Sequence, residues 1–167
     1  MRLTWIRTLS LASAAALVAL AASACGGTPV DLQKALKVDQ VSTGWHNDGV
    51  VDGKNKLVPS LTFTLTNQGT QALGSLQVNA VYKRVGETEE WGTAFSNVAG
   101  SGGLAAGATT PAITLHSPLG YTGTEAPEQM MQNHLWVDAE VTLFAKYGSA
   151  QWTKLGQFPV KRILLPK

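Results

Sequence analysis

Alternation with a period of two is the feature that most constrains this chain. Leu61, Phe63 and Leu65 alternate with Thr62, Thr64 and Thr66. Val137, Ala139, Val141, Leu143 and Ala145 alternate with Trp136, Asp138, Glu140, Thr142 and Phe144. Successive side chains of an extended chain point to opposite faces, so these runs require strands with one face covered and do not suit a helix of 3.6 residues per turn. Leu76, Val78, Ala80 and Tyr82 form a third stripe, ending before Gly86-Glu87. After a tight turn at Tyr147-Gly148-Ser149, Gln151 to Leu165 reads as a returning final strand, with Gly156 marking a bulge. Shorter candidates are Val38–Trp45, Trp91–Val98 and Ala112–His116, giving about seven strands. One short helix is expected in Ala126–Asn133, where Pro127 suits a first turn and Glu128 the positive end of the helix dipole. With Gly-rich connections and no repeated βα unit, the expected fold is all-β, an antiparallel two-sheet sandwich; an open-ended barrel is the alternative.

The N-terminus follows a different logic. Arg2 and Arg7 precede a charge-free stretch, Leu9–Ala22, which is short for a membrane span of about 20 apolar residues. Small residues then lead directly into Cys25, the one cysteine of the chain. A positive start, an apolar middle and small residues before a cleavage point describe a signal peptide. The run Ala22-Ser23-Ala24-Cys25 resembles the bacterial lipobox, with Ala where Leu is commoner. That resemblance implies a signal peptide over 1–24, a lipidated Cys25, and an anchor in the bacterial cell envelope; Gly26 in place of Asp implies the outer membrane if the host is Gram-negative. Residues 25–36 read as the lipidated cysteine and a flexible tether, opened by Gly26-Gly27-Thr28-Pro29-Val30, and 37–167 as the sandwich domain. The short amphipathic piece from Asp31 to Lys37 fits one helical turn or the start of a strand. An ordinary secreted protein with a free cysteine is the competing reading.

Within the body, Leu61-Thr62-Phe63-Thr64-Leu65-Thr66-Asn67-Gln68-Gly69 ends a strand in Asn-x-Gly. Leu104-Ala105-Ala106-Gly107-Ala108-Thr109 supplies a Leu-x-x-Gly loop before Ala112-Ile113-Thr114-Leu115. Together they are similar to immunoglobulin-like bacterial surface modules of the FxLYD and CARDB kind. The resemblance covers about half of the body. It implies an immunoglobulin-like β-sandwich in a non-enzymatic envelope protein, and it carries over no functional residue.

Composition narrows the function classes. The charged fraction is 14%, against about 25% in an average soluble protein. Loss of Arg2 and Arg7 with the leader would leave eleven basic and eleven acidic residues, so nothing indicates nucleic acid as a partner. No acid follows Glu140, whereas Lys146, Lys154, Lys161, Arg162 and Lys167 do; this suits solvated, edge-protecting lysines or a mildly basic face toward anionic head groups or cell-wall polymer.

Candidate chemistry is sparse. Gly100–Gly107 is Gly-rich, but it leads into a strand, whereas a phosphate cradle leads into a helix. His46, His116 and His134 are far apart in sequence, and no metal ligand set or cofactor is expected. His46 with Asp48 and Asp52 is the best local cluster; a hairpin turn with polar caps accounts for Asp52-Gly53-Lys54-Asn55 more simply than a calcium loop. Glu87, Glu89 and Glu90 fit an exposed hairpin tip, and no nucleophile elbow is present, so no catalytic residue is named.

The aromatic residues carry the remaining signal. Trp136 and Phe144 fall opposite the Val137–Ala145 stripe, so either both faces of that sheet are covered there, with Met130-Met131 as the cover, or an aromatic patch is open to a partner. The expected interaction surface is therefore Trp136, Phe144, Met130 and Met131. The functional expectation is a membrane-tethered binding or structural module whose partner is another envelope protein or a surface polymer. A periplasmic enzyme or metal-dependent hydrolase built on His46 and Asp48, and a transporter-associated ligand-binding lipoprotein, are the alternatives.

Overall fold

The computed structural model describes residues 30–98 and 102–166. The expected leader and Cys25 lie outside the described residues. From Asp31 onward the chain forms one compact unit. Its longest hairpin joins β1 (Leu36–Val51) to β2 (Lys54–Asn67) through Asp52 and Gly53. Both turn residues have positive φ, 51° and 75°, the conformation of a primed two-residue turn whose twist matches its strands. This is the hairpin expected from Asp52-Gly53.

The other strands are β3 (Leu76–Arg84), β4 (Gly92–Asn97), β5 (Ile113–His116), β6 (Tyr121–Gly123), β7 (Ala139–Tyr147) and β8 (Thr153–Pro159). They form two antiparallel sheets, and the all-β sandwich expected from the alternation is what the chain builds. The first sheet runs β1-β2-β5, with β6 also paired to β2; the second runs β4-β3-β7-β8. The alternating stripes become the core. Leu57, Leu61, Phe63 and Leu65 from the first sheet and Leu76, Val78, Ala80, Tyr82, Val141, Leu143 and Ala145 from the second are all buried. Burial of each Leu, Val or Phe contributes about 1.5–3 kcal/mol. Tyr82 is fully buried yet keeps a polar contact: its hydroxyl donates to the carbonyl of Leu115 in the other sheet at 2.7 Å.

Asn67 holds the loops at one end. Its side-chain amide donates to the carbonyls of Gln71 and Leu104, each at 2.9 Å, and its side-chain oxygen accepts from the Gly69 N–H at 3.0 Å. The two segments quoted for the resemblance, Asn67-Gln68-Gly69 and Leu104–Gly107, thus meet at one buried amide.

Four features differ from expectation. Eight strands lie among the described residues; the additional one, β6, spans three residues, too few to show alternation. The packed body begins at Asp31, ahead of residue 37. There α1 (Leu32–Ala35) is capped by the Asp31 carboxylate and buries Leu32 and Ala35, so residues 31–36 belong to the body and not to a free tether. The last strand does not run to Leu165. β8 closes at Pro159, and the chain crosses to the first sheet, where Trp45 donates to Ile163 and Leu165 donates to Trp45, each at 2.8 Å. Finally, Trp136 precedes β7. Asn133 accepts backbone and side-chain bonds from Trp136 and Leu135, making a turn that breaks the alternation before it reaches Trp136. The expected helix is present as α2 (Pro127–Met130), one turn long, with Pro127 in its first turn.

Candidate functional site

The outer face of the second sheet carries the exposed aromatic side chains. Cross-strand partners in an antiparallel pair point to the same face, so register defines the row. Asn79 of β3 is opposite both Phe95 of β4 and Phe144 of β7, and Phe144 is opposite Lys154 of β8. Phe95, Asn79, Phe144 and Lys154 therefore form one line across all four strands. Gln77, Asn97 and Lys146 form the next row, with a hydrogen bond between Gln77 and Asn97. Trp152 lies just before β8 and meets the Phe95 ring edge-on at 6.3 Å between centroids. The Lys146 ammonium sits 5.9 Å from the Trp152 ring, within cation–π range. Among the described residues, Phe95 (54% exposed) and Trp152 (39%) are the aromatic side chains most open to solvent, and Phe144 is half-buried.

This surface replaces the expected one, of which Phe144 alone remains on it. Trp136, Met130 and Met131 are buried. Trp136 packs near-perpendicular to Trp45 at 4.4 Å and against Tyr121 at 4.4 Å, while Trp91 lies 4.9 Å from Tyr121. Having left the alternation, the Trp136 ring turns inward, and α2 brings Met130 over the same end of the sandwich, beside Gly123. Among the described residues, the buried indole N–H groups of Trp45 and Trp136 have no hydrogen-bond partner. Phe95 carried a readable signal: Gly92, Ala94 and Ser96 are small, whereas Thr93, Phe95 and Asn97 make the outward stripe of β4.

A second cluster lies on the outer face of the first sheet. His46 of β1 and His116 of β5 flank β2, and their rings stack 4.4 Å apart with a 33° tilt. Pairing through β2 brings together two histidines seventy residues apart in sequence. The Ser60 hydroxyl forms a short hydrogen bond with His116 Nδ1. Burial, then the neighbouring His46, lowers the pKa of His116 below the usual histidine range, against an opposing pull from Asp48. Asp48 is ion-paired with Lys56 at 2.9 Å, and Lys56 also donates to the carbonyl of Pro118. Ser60 is fully buried, so its hydroxyl orients the imidazole and cannot meet a substrate. Among the described residues, no three His, Cys, Asp or Glu side chains converge to hold a metal ion. Asp52 stays in the hairpin turn, and His134 is exposed in the segment after α2. Glu87 caps its own hairpin by pairing with Arg84 at 2.9 Å.

No family model and no curated protein matches the chain. Among solved structures, it is similar to one described as the X-ray structure of Northeast Structural Genomics Consortium target SoR45. The two are 17% identical with a TM-score of 0.44, over 77% of this chain and 88% of that one.

Proposed function

We propose that the chain is a lipid-anchored protein of the bacterial cell envelope whose β-sandwich works as a binding or structural module through a surface. The anchor is Cys25, placed after Arg2, Arg7 and the Leu9–Ala22 stretch where a lipobox puts its modified residue. Several acyl chains on one cysteine hold a protein to a bilayer far more firmly than the marginal binding of a single chain. The observation that carries the reading of the body is the open Phe95–Trp152 pair on a sheet whose inner face is fully packed. Exposed aromatic rings flanked by amides and lysines suit contact with a partner surface. The His46–His116 cluster does not favour the hydrolase reading, because the hydroxyl at hand is buried and the nearby carboxylate is neutralised by Lys56.

Metabolic labelling with palmitate tests the anchor. Wild-type protein is expected to take up label and to yield a mature N-terminus at Cys25, and Cys25→Ser to take up none. Label retained in Cys25→Ser, or a mature protein starting elsewhere, overturns the reading.

A further inference from the structure

We propose that the end of the second sheet bearing Trp152, Phe95, Lys146 and Lys154 docks onto the anionic surface of the membrane that holds the lipid anchor. The inference rests on the Cys25 reading and names what the exposed aromatic face touches.

Chain length makes the first argument. Asp31 follows Cys25 by six residues, a reach of about 20 Å at full extension. The packed body therefore cannot stand far from a bilayer that holds Cys25. The place where the chain enters the body makes the second. Leu32 and Ala35 of α1 are buried, and the Gln33 side chain donates to the backbone carbonyl of Lys154 at 3.2 Å. The body thus begins beside the start of β8, two residues from Trp152.

Composition makes the third. Trp favours the interfacial zone of a bilayer, where its apolar ring and polar N–H are both accommodated, and a neighbouring Phe adds an apolar ring at the acyl boundary. Lys146 and Lys154 are the cations of these two rows, and neither belongs to an ion pair among the described residues. Lys154 donates to the neutral Gln157 side chain at 2.6 Å. Glu140, the acid of this face, is in register with Lys83 and accepts from the same Gln157 side chain at 2.8 Å, so the Gln157 amide stands between it and Lys154. Asp31, which caps α1, is paired with Lys34 at 3.2 Å. Aromatic rings and unpaired positive charge therefore coincide with the start of the body, the pattern that an anionic headgroup layer complements.

The test uses the full-length protein reconstituted in vesicles containing phosphatidylglycerol and lipids brominated near the headgroup, which quench tryptophan on contact. Trp152→Phe supplies the background from the other tryptophans. Wild type is expected to lose a larger share of its emission than Trp152→Phe. Removal of two charges, in Lys146→Gln with Lys154→Gln, is expected to weaken docking roughly thirtyfold at low salt and bring quenching to the Trp152→Phe level. Equal quenching in wild type and Trp152→Phe overturns the proposal and leaves the face to a polymer or another protein. Quenching that survives both loss of the lysines and replacement of phosphatidylglycerol by neutral lipid overturns its electrostatic basis. Palmitate labelling of the same preparation separates the two readings: equal quenching in a labelled protein overturns the docking, whereas absence of label overturns the Cys25 anchor.

Discussion

Replacement of Asn67 tests the claim that one buried amide closes this end of the sandwich. Asn67 is fully buried, its amide serves two carbonyls and its oxygen serves one N–H. Asn67→Ala removes all three bonds and leaves the carbonyls of Gln71 and Leu104 and the N–H of Gly69 without that partner. At about 1 kcal/mol for each lost bond, the expected cost is about 3 kcal/mol, part of which water recovers if the loop opens. For a body of this size that corresponds to a fall of about 10 °C in Tm.

Asn67→Asp separates polarity from volume. The aspartate is nearly the same size and keeps the acceptor for Gly69, but at neutral pH it turns a carboxylate oxygen toward two carbonyls. Its cost is expected to equal or exceed that of Asn67→Ala. Near pH 4 a buried carboxyl, its pKa raised, is protonated and donates one bond, so Asn67→Asp should recover about 1 kcal/mol relative to Asn67→Ala. Urea unfolding at both pH values measures this, read as a shift in midpoint with constant slope. A cost below about 1 kcal/mol for Asn67→Ala, or an Asn67→Asp variant as stable as wild type at pH 7, would refute the reasoning.

Two further stability predictions follow from contacts between elements. Tyr82→Phe keeps the ring but removes the bond to Leu115, with an expected loss of about 1–2 kcal/mol by urea unfolding at pH 7. Burial holds the Tyr82 hydroxyl protonated well above its usual pKa of about 10, so its contribution is complete below that pH and is lost as pH rises beyond it; wild type should lose stability above pH 10 more steeply than Tyr82→Phe, and parallel profiles would contradict this. Gly120→Ala would drive a methyl group into the Leu57 carbonyl where β6 begins its pairing with β2, and thermal unfolding is expected to show a loss of about 2–3 kcal/mol; a change within about 0.5 kcal/mol would show that the β5–β6 link yields freely.

The inner half of the fold was readable because period two and burial report the same fact. Leu61, Phe63 and Leu65, and Val141, Leu143 and Ala145, point where their alternation says they must. The Asp52-Gly53 turn was readable because local backbone preference alone determines it. Trp136 was misplaced because the alternation ran on in the sequence past the turn that Asn133 imposes, and parity has no meaning across a turn. The tail at Ile163–Leu165 was read as β8 because a parallel pairing with Trp45, more than a hundred residues away, leaves no local mark. The His46–His116 contact was hidden for the same reason: β2 brings the two strands together, and no spacing in the sequence records it.

The two outer faces also differ in what a partner would have to give up. On the first sheet, Thr62 is hydrogen-bonded to Thr114 and Thr66 to Thr109, each at 2.9 Å, while Thr64 is bonded to the Asp39 carbonyl and Ser60 to His116. A ligand lying there would exchange bonds that already exist for new ones of similar worth, so little net free energy is available. On the second sheet Phe95 and Trp152 expose apolar area that hydrogen bonds cannot satisfy, and each square ångström removed from water contributes about 25 cal/mol with no bond to break. A bilayer interface needs no shape match to collect that gain, whereas a folded partner would need a complementary pocket for two rings set at 85° to each other. Under the proposed Cys25 anchor, Asp31 stays within about 20 Å of the lipid, and the membrane is the surface that reaches this end of the sheet first.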